Sequence, residues 1–185
     1  MSGIYVASSE DKDGAADDEP GPSPLSLLLE SAGWHALDGA QTMVCRAYEA
    51  AADRLGAEIA GREVTILLSS DEAVAALNAR YRGKEGPTNV LSFPATAVPG
   101  AALPPLGDII IAHETLMREA ADEGKPPLFH LAHLTVHGLL HLAGFDHETD
   151  GEAERMEALE REILASIRVP DPYSSPTDET PAAAG

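Results

Sequence analysis

Short apolar runs and longer helical periods follow one another along this chain. Residues 25–29, 63–69, 89–93 and 108–112 are rich in leucine or β-branched side chains and lack a helical period, so they predict four strands. Helical spacing of apolar residues predicts helices over 39–55, from Ser70 or Asp71 to about Tyr81, and over 113–123, 128–143 and 151–166. Residues 33–39 predict a turn, and residues 94–107 predict a Pro/Gly-rich loop.

This order of elements predicts one domain. Strands that alternate with helices indicate an α/β (α+β) fold, in which a small mixed sheet is packed by helices and the apolar helix 128–143 lies at the centre. The length of 185 residues fits a single core with tails to spare. We therefore assign the compact domain to residues 22–169.

Both ends of the chain lack the apolar residues that a packed core needs. Residues 1–21 form an acidic extension, and residues 170–185 form a tail rich in Pro, Ser, Thr and Ala, so we expect both to be disordered. Residues 1–20 contain no apolar segment of a secretory signal, and no stretch approaches the roughly 18 apolar residues of a membrane span. We expect a cytoplasmic protein with no membrane partner.

The net charge of −19 argues against a protein that coats nucleic acid, because phosphate binding depends mainly on Lys and Arg. A local basic cleft is still compatible with this charge. Arg80, Arg82 and Lys84 lie close together around Gly83. This cluster is the one feature of the sequence that could meet a phosphate group.

Four of the seven histidines share one face of the predicted helix 128–143. They are His130, His133, His137 and His141, and at 100° per residue they fall within about 80° of one another. Each imidazole on an apolar stripe needs its own hydrogen-bonding partner when it is buried. A purely structural role for all four histidines would therefore be costly.

A metal site explains the last two histidines of this stripe. His137 and His141 are one turn apart, so their imidazoles can converge on one ion at about 2.0–2.1 Å from each nitrogen. Gly144 can adopt a positive φ and reverse the chain, which brings in His147 as a third ligand. Three imidazoles with an open position are typical of catalytic zinc, whereas structural zinc usually has four protein ligands. The sequence predicts one divalent ion here, with zinc as the first choice.

Other residues are expected beside these ligands. His133 lies one turn before His137, but ligands from three consecutive turns of a straight helix give a poor tetrahedral set. We therefore expect His133 to lie behind the ligands as a supporting or packing residue, and we extend this expectation to His130 on weaker grounds. Asp146 precedes the third histidine. It either orients an imidazole or caps the turn, and the sequence favours neither interpretation.

Gly138 bears on the class of reaction. Metallopeptidases with the pattern H-E-x-x-H-x-x-G-x-x-H have the same spacing of histidine and glycine, but they carry a glutamate base directly after the first histidine. This chain has Gly138 at that position. Peptide hydrolysis is therefore disfavoured, and phosphoester chemistry stays open because a bound ion can polarise a phosphoryl oxygen.

Several blocks of the sequence resemble the YbeY family of bacterial endoribonucleases, also described as ribosomal-RNA maturation factors. The run from His137 to His147 resembles the family signature H-G-x-L-H-L-x-G-[YF]-D-H. Residues 77–84 and 87–94 resemble its upstream block, residues 106–111 its middle block, and residues 156–160 its closing helix. Phe145 stands where tyrosine is commoner in the family. The acidic extension and the C-terminal tail lie outside the resemblance.

The resemblance implies a compact α/β fold with a zincin-like metal-binding helix and one zinc ion on His137, His141 and His147. It implies cleavage of single-stranded RNA in small-subunit ribosomal RNA 3′ end maturation and in ribosome quality control. Precursor ribosomal RNA, the small ribosomal subunit and its proteins would be the partners.

The resemblance also makes Arg82 the functional arginine near the metal. This role suits a guanidinium, because it can hold a phosphate through two parallel hydrogen bonds. Arg80 and Lys84 are further candidates for substrate binding, although the sequence favours a solvated helix end as the explanation for both.

Two other functions compete with this one. A non-catalytic assembly factor would carry a structural zinc and dock on the small ribosomal subunit, and an acidic surface favours contact with basic ribosomal proteins. A metallohydrolase of another substrate is disfavoured by Gly138. The sequence assigns no general base, because Asp108, His113, Glu114 and Asp146 are all available.

Overall fold

The computed structural model describes residues 24–59, 61–96 and 103–174. Four strands lie within them, namely β1 (Leu25–Leu29), β2 (Val64–Ser69), β3 (Val90–Pro94) and β4 (Gly107–Ala112). The helices are α1 (Ala32–Ala36), α2 (Ala40–Leu55), α3 (Asp71–Arg82), α4 (His113–Asp122), α5 (Pro127–Leu142) and α6 (Asp150–Ser166), with a 3₁₀ turn at Gly56–Glu58. The four predicted strands and five predicted helices are confirmed to within one or two residues at their ends.

Helix α1 corrects the turn predicted over residues 33–39. It has five residues, too few to show a helical period in the sequence. Trp34 is buried there, and its indole Nε1–H donates to the carbonyl oxygen of Ser69 at 2.8 Å. A large side chain anchored at the end of β2 therefore holds a helical turn where the flanking glycines suggested a simple reversal.

The sheet is mixed, and helices cover both of its faces. Its strand order is β1-β2-β4-β3, with β1, β2 and β4 parallel and β3 antiparallel to β4. Successive side chains of a strand point to opposite faces. Ile109 and Ile111 of β4 therefore pack in the larger core with α2, α5 and α6. Ile110 points to the opposite face, where it forms a smaller core with Leu91 of β3 and Val74 of α3. The predicted α/β fold of a single domain is confirmed.

Helix α5 is the centre of the larger core, as its apolar sequence predicts. It packs against α2, α4 and α6 and against strands β3 and β4. Gly138 lies directly on β4, where a Cβ atom would come within 2.9 Å of Ile109 Cγ2. This close approach seats the histidine-bearing helix on the sheet.

The predicted disorder of residues 1–21 lies outside the described residues, as does most of the predicted C-terminal tail. Residues 170–174 of that tail are described, and they lie against α5 and α6. The domain limits of 22–169 stay a prediction. Among the described residues, none of the helices combines the length and apolar character that crossing a membrane would require.

Candidate metal centre

The last two turns of α5 present two histidines on one side. His137 and His141 are separated by four residues, and their ring centroids lie 4.6 Å apart. Their Nε2 atoms are 3.1 Å apart. Two ligands of a tetrahedral ion, each about 2.0–2.1 Å from the metal, lie about 3.3–3.4 Å from each other. The two nitrogens are therefore spaced much as one edge of a coordination tetrahedron requires.

The hydrogen bonds of these rings determine which nitrogen carries a proton. His137 Nδ1 lies 2.8 Å from Glu160 Oε1, and His141 Nδ1 lies 3.1 Å from the carbonyl oxygen of Phe145. Because a carbonyl or carboxylate oxygen accepts, each Nδ1 is the donor, and each Nε2 presents a lone pair in the neutral ring. Two lone pairs at this separation repel each other unless a proton or a metal ion lies between them. The donor set therefore fits a metal ion.

The chain reverses after α5 and brings in a third histidine. Gly144 has φ 94°, and two amide N–H groups that follow the helix donate back to carbonyl oxygens of its last turns at 3.0 Å. Helices commonly end in this way at a glycine. The His147 ring lies 5.6 Å from the ring of His137 and 5.0 Å from that of His141. One possible ligand atom from each of the three lies within 4.8 Å of the others, so the structure brings together the three predicted ligands.

The surroundings favour the neutral form of His141. Burial lowers the pKa of His141, and the neighbouring rings of His137 and His147 lower it further. Asp146 and the carbonyl group of Phe145 act in the opposite direction with a smaller effect. Only a deprotonated ring nitrogen can bind a metal, so the packing keeps this imidazole in the form that a ligand needs.

A buried carboxylate lies behind the ligands, and the sequence analysis did not assign it. Glu160 of α6 is 0% exposed. Its Oε1 accepts from His137, and its Oε2 lies 3.3 Å from His133 Nε2. Burial would raise the pKa of Glu160, but hydrogen bonds with His133, His137 and Tyr173 lower it to about 2. A carboxylate that accepts from a metal-binding histidine orients the ring and makes its other nitrogen a stronger ligand.

The sequence contained a signal for Glu160. The buried residues of α6 are Met156, Glu160, Ile163 and Leu164, which form one helical face. An acid in the middle of an apolar stripe requires a buried partner. Residues 156–160 contributed to the prediction from sequence only through the family resemblance.

The other two histidines of α5 lie behind the ligands. His133 contacts Glu160, and its ring centroid is 6.2 Å from that of His137. These three residues also form a group that could hold a metal, and it shares His137 with the group of three histidines. His130 is buried, with Nε2 2.8 Å from Glu119 Oε2. Both histidines contact carboxylates, and their role behind the metal ligands stays a prediction.

Asp146 lies beside the three predicted ligands. Its Oδ1 accepts from the amide N–H of His147 at 2.8 Å and lies 4.0 Å from His141 Nδ1. The side chain is 53% exposed. The hydrogen bond to the His147 amide fits the turn cap, whereas His141 Nδ1 is already directed at the carbonyl oxygen of Phe145 at 3.1 Å, so a role of Asp146 in orienting that ring stays a prediction.

The remaining candidates for proton transfer have other contacts. The His113 ring packs edge-on against Trp34, with 5.0 Å between centroids, and lies directly over Gly33. Glu114 accepts from the amide N–H of Asp71 at 2.8 Å. Asp108 is exposed on β4. None of these three belongs to the metal-ligating groups found among the described residues.

The basic cluster lies at the end of α3, which Gly83 terminates with φ 64°. Arg82 is exposed, and its Nη2 lies 3.5 Å from the carbonyl oxygen of Ser92 on β3. Ser92 Oγ in turn donates to the carbonyl oxygen of Gly138 at 3.4 Å, next to His137 in α5. Two long hydrogen bonds through Ser92 therefore lead from Arg82 to the turn of α5 that carries His137.

The other two basic residues have different surroundings. The guanidinium carbon of Arg80 lies 5.2 Å from the centroid of the exposed Tyr81 ring. Lys84 is exposed in the loop after α3. Neither position tests a role in substrate binding, so that role stays a prediction for both residues.

Comparisons with known proteins agree with the family resemblance. A family model described as Endoribonuclease YbeY matches residues 35–168. "Endoribonuclease YbeY" of Rhodopseudomonas palustris (strain BisA53) is 53% identical over 158 residues, which cover 83% of this chain and 91% of the relative. The protein of the same description from Azorhizobium caulinodans is 50% identical over 156 residues, covering 83% and 98%. The solution structure of TM1509 from Thermotoga maritima superposes with a TM-score of 0.54 at 25% identity, covering 83% of this chain and 98% of that one.

Proposed function

The chain belongs to the endoribonuclease YbeY family, and we propose its function on that basis. The names of the family and of these relatives support endoribonuclease function, that is, a hydrolase that acts on RNA. Our proposal is that this chain cleaves single-stranded RNA with one zinc ion on His137, His141 and His147. Its substrate would be precursor ribosomal RNA at the 3′ end of the small-subunit RNA, in maturation and quality control of ribosomes in the cytoplasm. The small ribosomal subunit and its proteins would be partners.

The observation that carries this proposal is the arrangement of the ligand nitrogens. Nε2 of His137 and Nε2 of His141 face each other at 3.1 Å with their lone pairs, and the ring of His147 lies beside both. Three protein ligands leave the fourth position of a tetrahedral zinc ion open, which is typical of catalytic zinc sites. When bound, a divalent ion there supplies positive charge that polarises a phosphoryl oxygen and lowers the pKa of water.

The residues of the chain have separate parts in this proposal. His137, His141 and His147 hold the ion, and Glu160 orients the ring of His137 through its Nδ1–H. Arg82 binds the phosphate and offsets the negative charge that develops on it during cleavage. Because the net charge of the chain is −19, contacts with the RNA backbone are confined to a short segment.

A non-catalytic assembly factor is the second candidate, and the net charge favours it. An acidic surface is better suited to basic proteins of the small ribosomal subunit than to RNA. In that case the ion would be structural. Removal of zinc would then unfold the domain, whereas a catalytic ion would leave a folded and inactive protein.

Cleavage of a structured ribosomal RNA precursor by the purified protein tests the two functions. The wild-type protein is compared with His141→Ala and Arg82→Ala, all purified in the same way. We expect both variants to lose cleavage, and zinc to be missing only from the histidine variant. His35→Ala, which removes an exposed histidine of α1, and Arg54→Ala, which removes an arginine paired with Glu162, are the matched controls.

Contaminating ribonuclease is the main hazard of this experiment. It would give equal cleavage in the wild type and in all four variants. That result would contradict the proposed endoribonuclease and favour the assembly factor. Loss of cleavage in the two control variants as well would show that the assay reports general damage rather than the site.

A further inference from the structure

A short segment after the last helix lies against the metal centre. Residues 170–174, which we call the C-terminal strap, follow the region matched by the family model. The Lys125 ammonium donates to the carbonyl oxygen of Pro172, and Arg161 Nε lies 3.4 Å from Asp171 Oδ2. The Arg161 guanidinium also lies over the ring of Tyr173, 4.9 Å from its centroid. Contacts to the α4–α5 turn and to α6 therefore hold the two residues that precede Tyr173 and the Tyr173 ring itself.

The strap brings the phenol of Tyr173 to the buried carboxylate. The hydroxyl group donates to Glu160 Oε2 and lies 3.4 Å from His133 Nε2. The rings of Tyr173 and His133 meet edge to face, 5.5 Å apart. Burial and the charge of Glu160 raise the pKa of Tyr173 well above its ordinary value, so the phenol keeps the proton that it donates.

Both oxygens of Glu160 are therefore held, and by different partners. Oε1 accepts from His137, and Oε2 is bonded to Tyr173 and His133. The last torsion of a glutamate side chain is soft, so one bonded oxygen alone would leave the carboxylate free to rotate. Without the phenol, the only contact of Oε2 among the described residues is with His133, at the longer distance of 3.3 Å.

We propose that Tyr173 is a positioning residue of the metal centre, which acts on His137 through Glu160. Its hydroxyl group fixes the carboxylate, and the fixed carboxylate keeps the His137 ring turned with Nε2 toward the ion. The proposal rests on the metal ligands proposed above, and it is independent of which RNA is cleaved. The segment that supplies this residue lies outside the part of the chain that matches the family model.

Tyr173→Phe in the full-length protein tests the proposal, because it removes the hydroxyl group and keeps the ring under Arg161. Zinc affinity is measured by competition with a chromophoric chelator, and the visible absorption of the Co²⁺-loaded protein reports the ligand geometry. We expect zinc affinity to fall about 3- to 10-fold, less than the 10- to 100-fold typical when a direct partner of a ligand is lost. The cobalt spectrum should change with it.

Two further variants separate positioning from general structure. In a Glu160→Ala background, Tyr173→Phe should change zinc affinity by less than about twofold, because no side chain then links the phenol to His137. Tyr48→Phe removes the hydroxyl group of a buried tyrosine in α2 and should leave zinc affinity and the cobalt spectrum unchanged.

Three results would overturn the proposal. One is an unchanged zinc affinity in Tyr173→Phe, and another is an equal loss in the wild-type and Glu160→Ala backgrounds. The third is a wild-type chain that binds no zinc, which would overturn the metal site itself. Loss of RNA cleavage plays no part in this test, so a failure of the proposed substrate would leave the result intact.

Discussion

Replacement of Glu160 by glutamine tests the carboxylate that lies behind the metal ligands. Glu160→Gln keeps the shape of the side chain and an acceptor for His137 Nδ1, which lies 2.8 Å from Oε1, and removes the negative charge. A hydrogen bond to a charged group contributes about 1.5–3 kcal/mol and a neutral one about 0.5–1.5 kcal/mol, so the change weakens the bond by roughly 1–1.5 kcal/mol. Because about 1.4 kcal/mol corresponds to a tenfold change in an equilibrium constant, zinc affinity should fall about tenfold.

The measurement is chelator competition at neutral pH with a control on the same helix. Glu157 lies three residues before Glu160 on α6, and its carboxylate is partly exposed and paired with Arg161 at 2.8 Å. Glu157→Gln therefore makes the same chemical change without touching a histidine and should leave zinc affinity unchanged. An equal loss of affinity in both variants would refute the role of Glu160, because it would show an effect of net charge alone. Unchanged affinity in Glu160→Gln would refute it directly.

Three further predictions concern stability. The metal-free protein should lose stability as the pH falls from about 4.5 towards 2, because the folded pKa of Glu160 is about 2 and the unfolded chain therefore takes up this proton first. Denaturant unfolding at pH 7 and pH 3 checks this, and an equal loss in wild type and Glu160→Gln would contradict it. Gly138→Ala should lower the melting temperature, because its Cβ would lie 2.9 Å from Ile109 Cγ2 and overpacking costs about 1–3 kcal/mol against a gain of about 1 kcal/mol in helix propensity. Ile109→Val in the same chain removes the Cδ1 atom, which would lie 3.0 Å from that Cβ, and should recover part of the loss; a more stable Gly138→Ala would show that the helix can shift. Thr149→Ala should cost about 1 kcal/mol in urea unfolding, because it removes the capping box with Glu152 at the start of α6. Unchanged unfolding would mean that this helix end does not contribute to the folded core.

The convergence of the three histidines could be predicted from the sequence because they are close together in the chain. His137, His141 and His147 span eleven residues, and two rules of local geometry relate them: the pitch of a helix and the reversal at Gly144. The strands and long helices were predictable for a similar reason, since each shows its own period. Helix α1 was not, because its five residues depend on a contact of Trp34 with Ser69, 35 positions away.

The residues behind the ligands depend on contacts between separate elements. Glu160 reaches His137 across 23 positions, and Tyr173 reaches Glu160 from a segment that composition marked as part of a disordered tail. An acid on an apolar stripe indicates that a partner exists, but the stripe does not identify it. Which helix packs beside α6 decides the partner, and that requires the three-dimensional arrangement.

The packing of α5 on the sheet also explains the glycine that sets this chain apart from peptidases with the same histidine spacing. Gly138 points at Ile109 of β4. Successive residues of a helix are about 100° apart around its axis. Measured from the direction of Gly138, which faces the sheet, His137 lies at about 100° and His141 at about 60°, both on the same side of the helix. On that side α6 supplies Glu160. A glutamate at position 138 would point into the sheet, and a rotation of α5 that made room for it would turn the histidines away from Glu160. In this fold the position after the first ligand belongs to the core, so a proton acceptor for cleavage must come from elsewhere in the site.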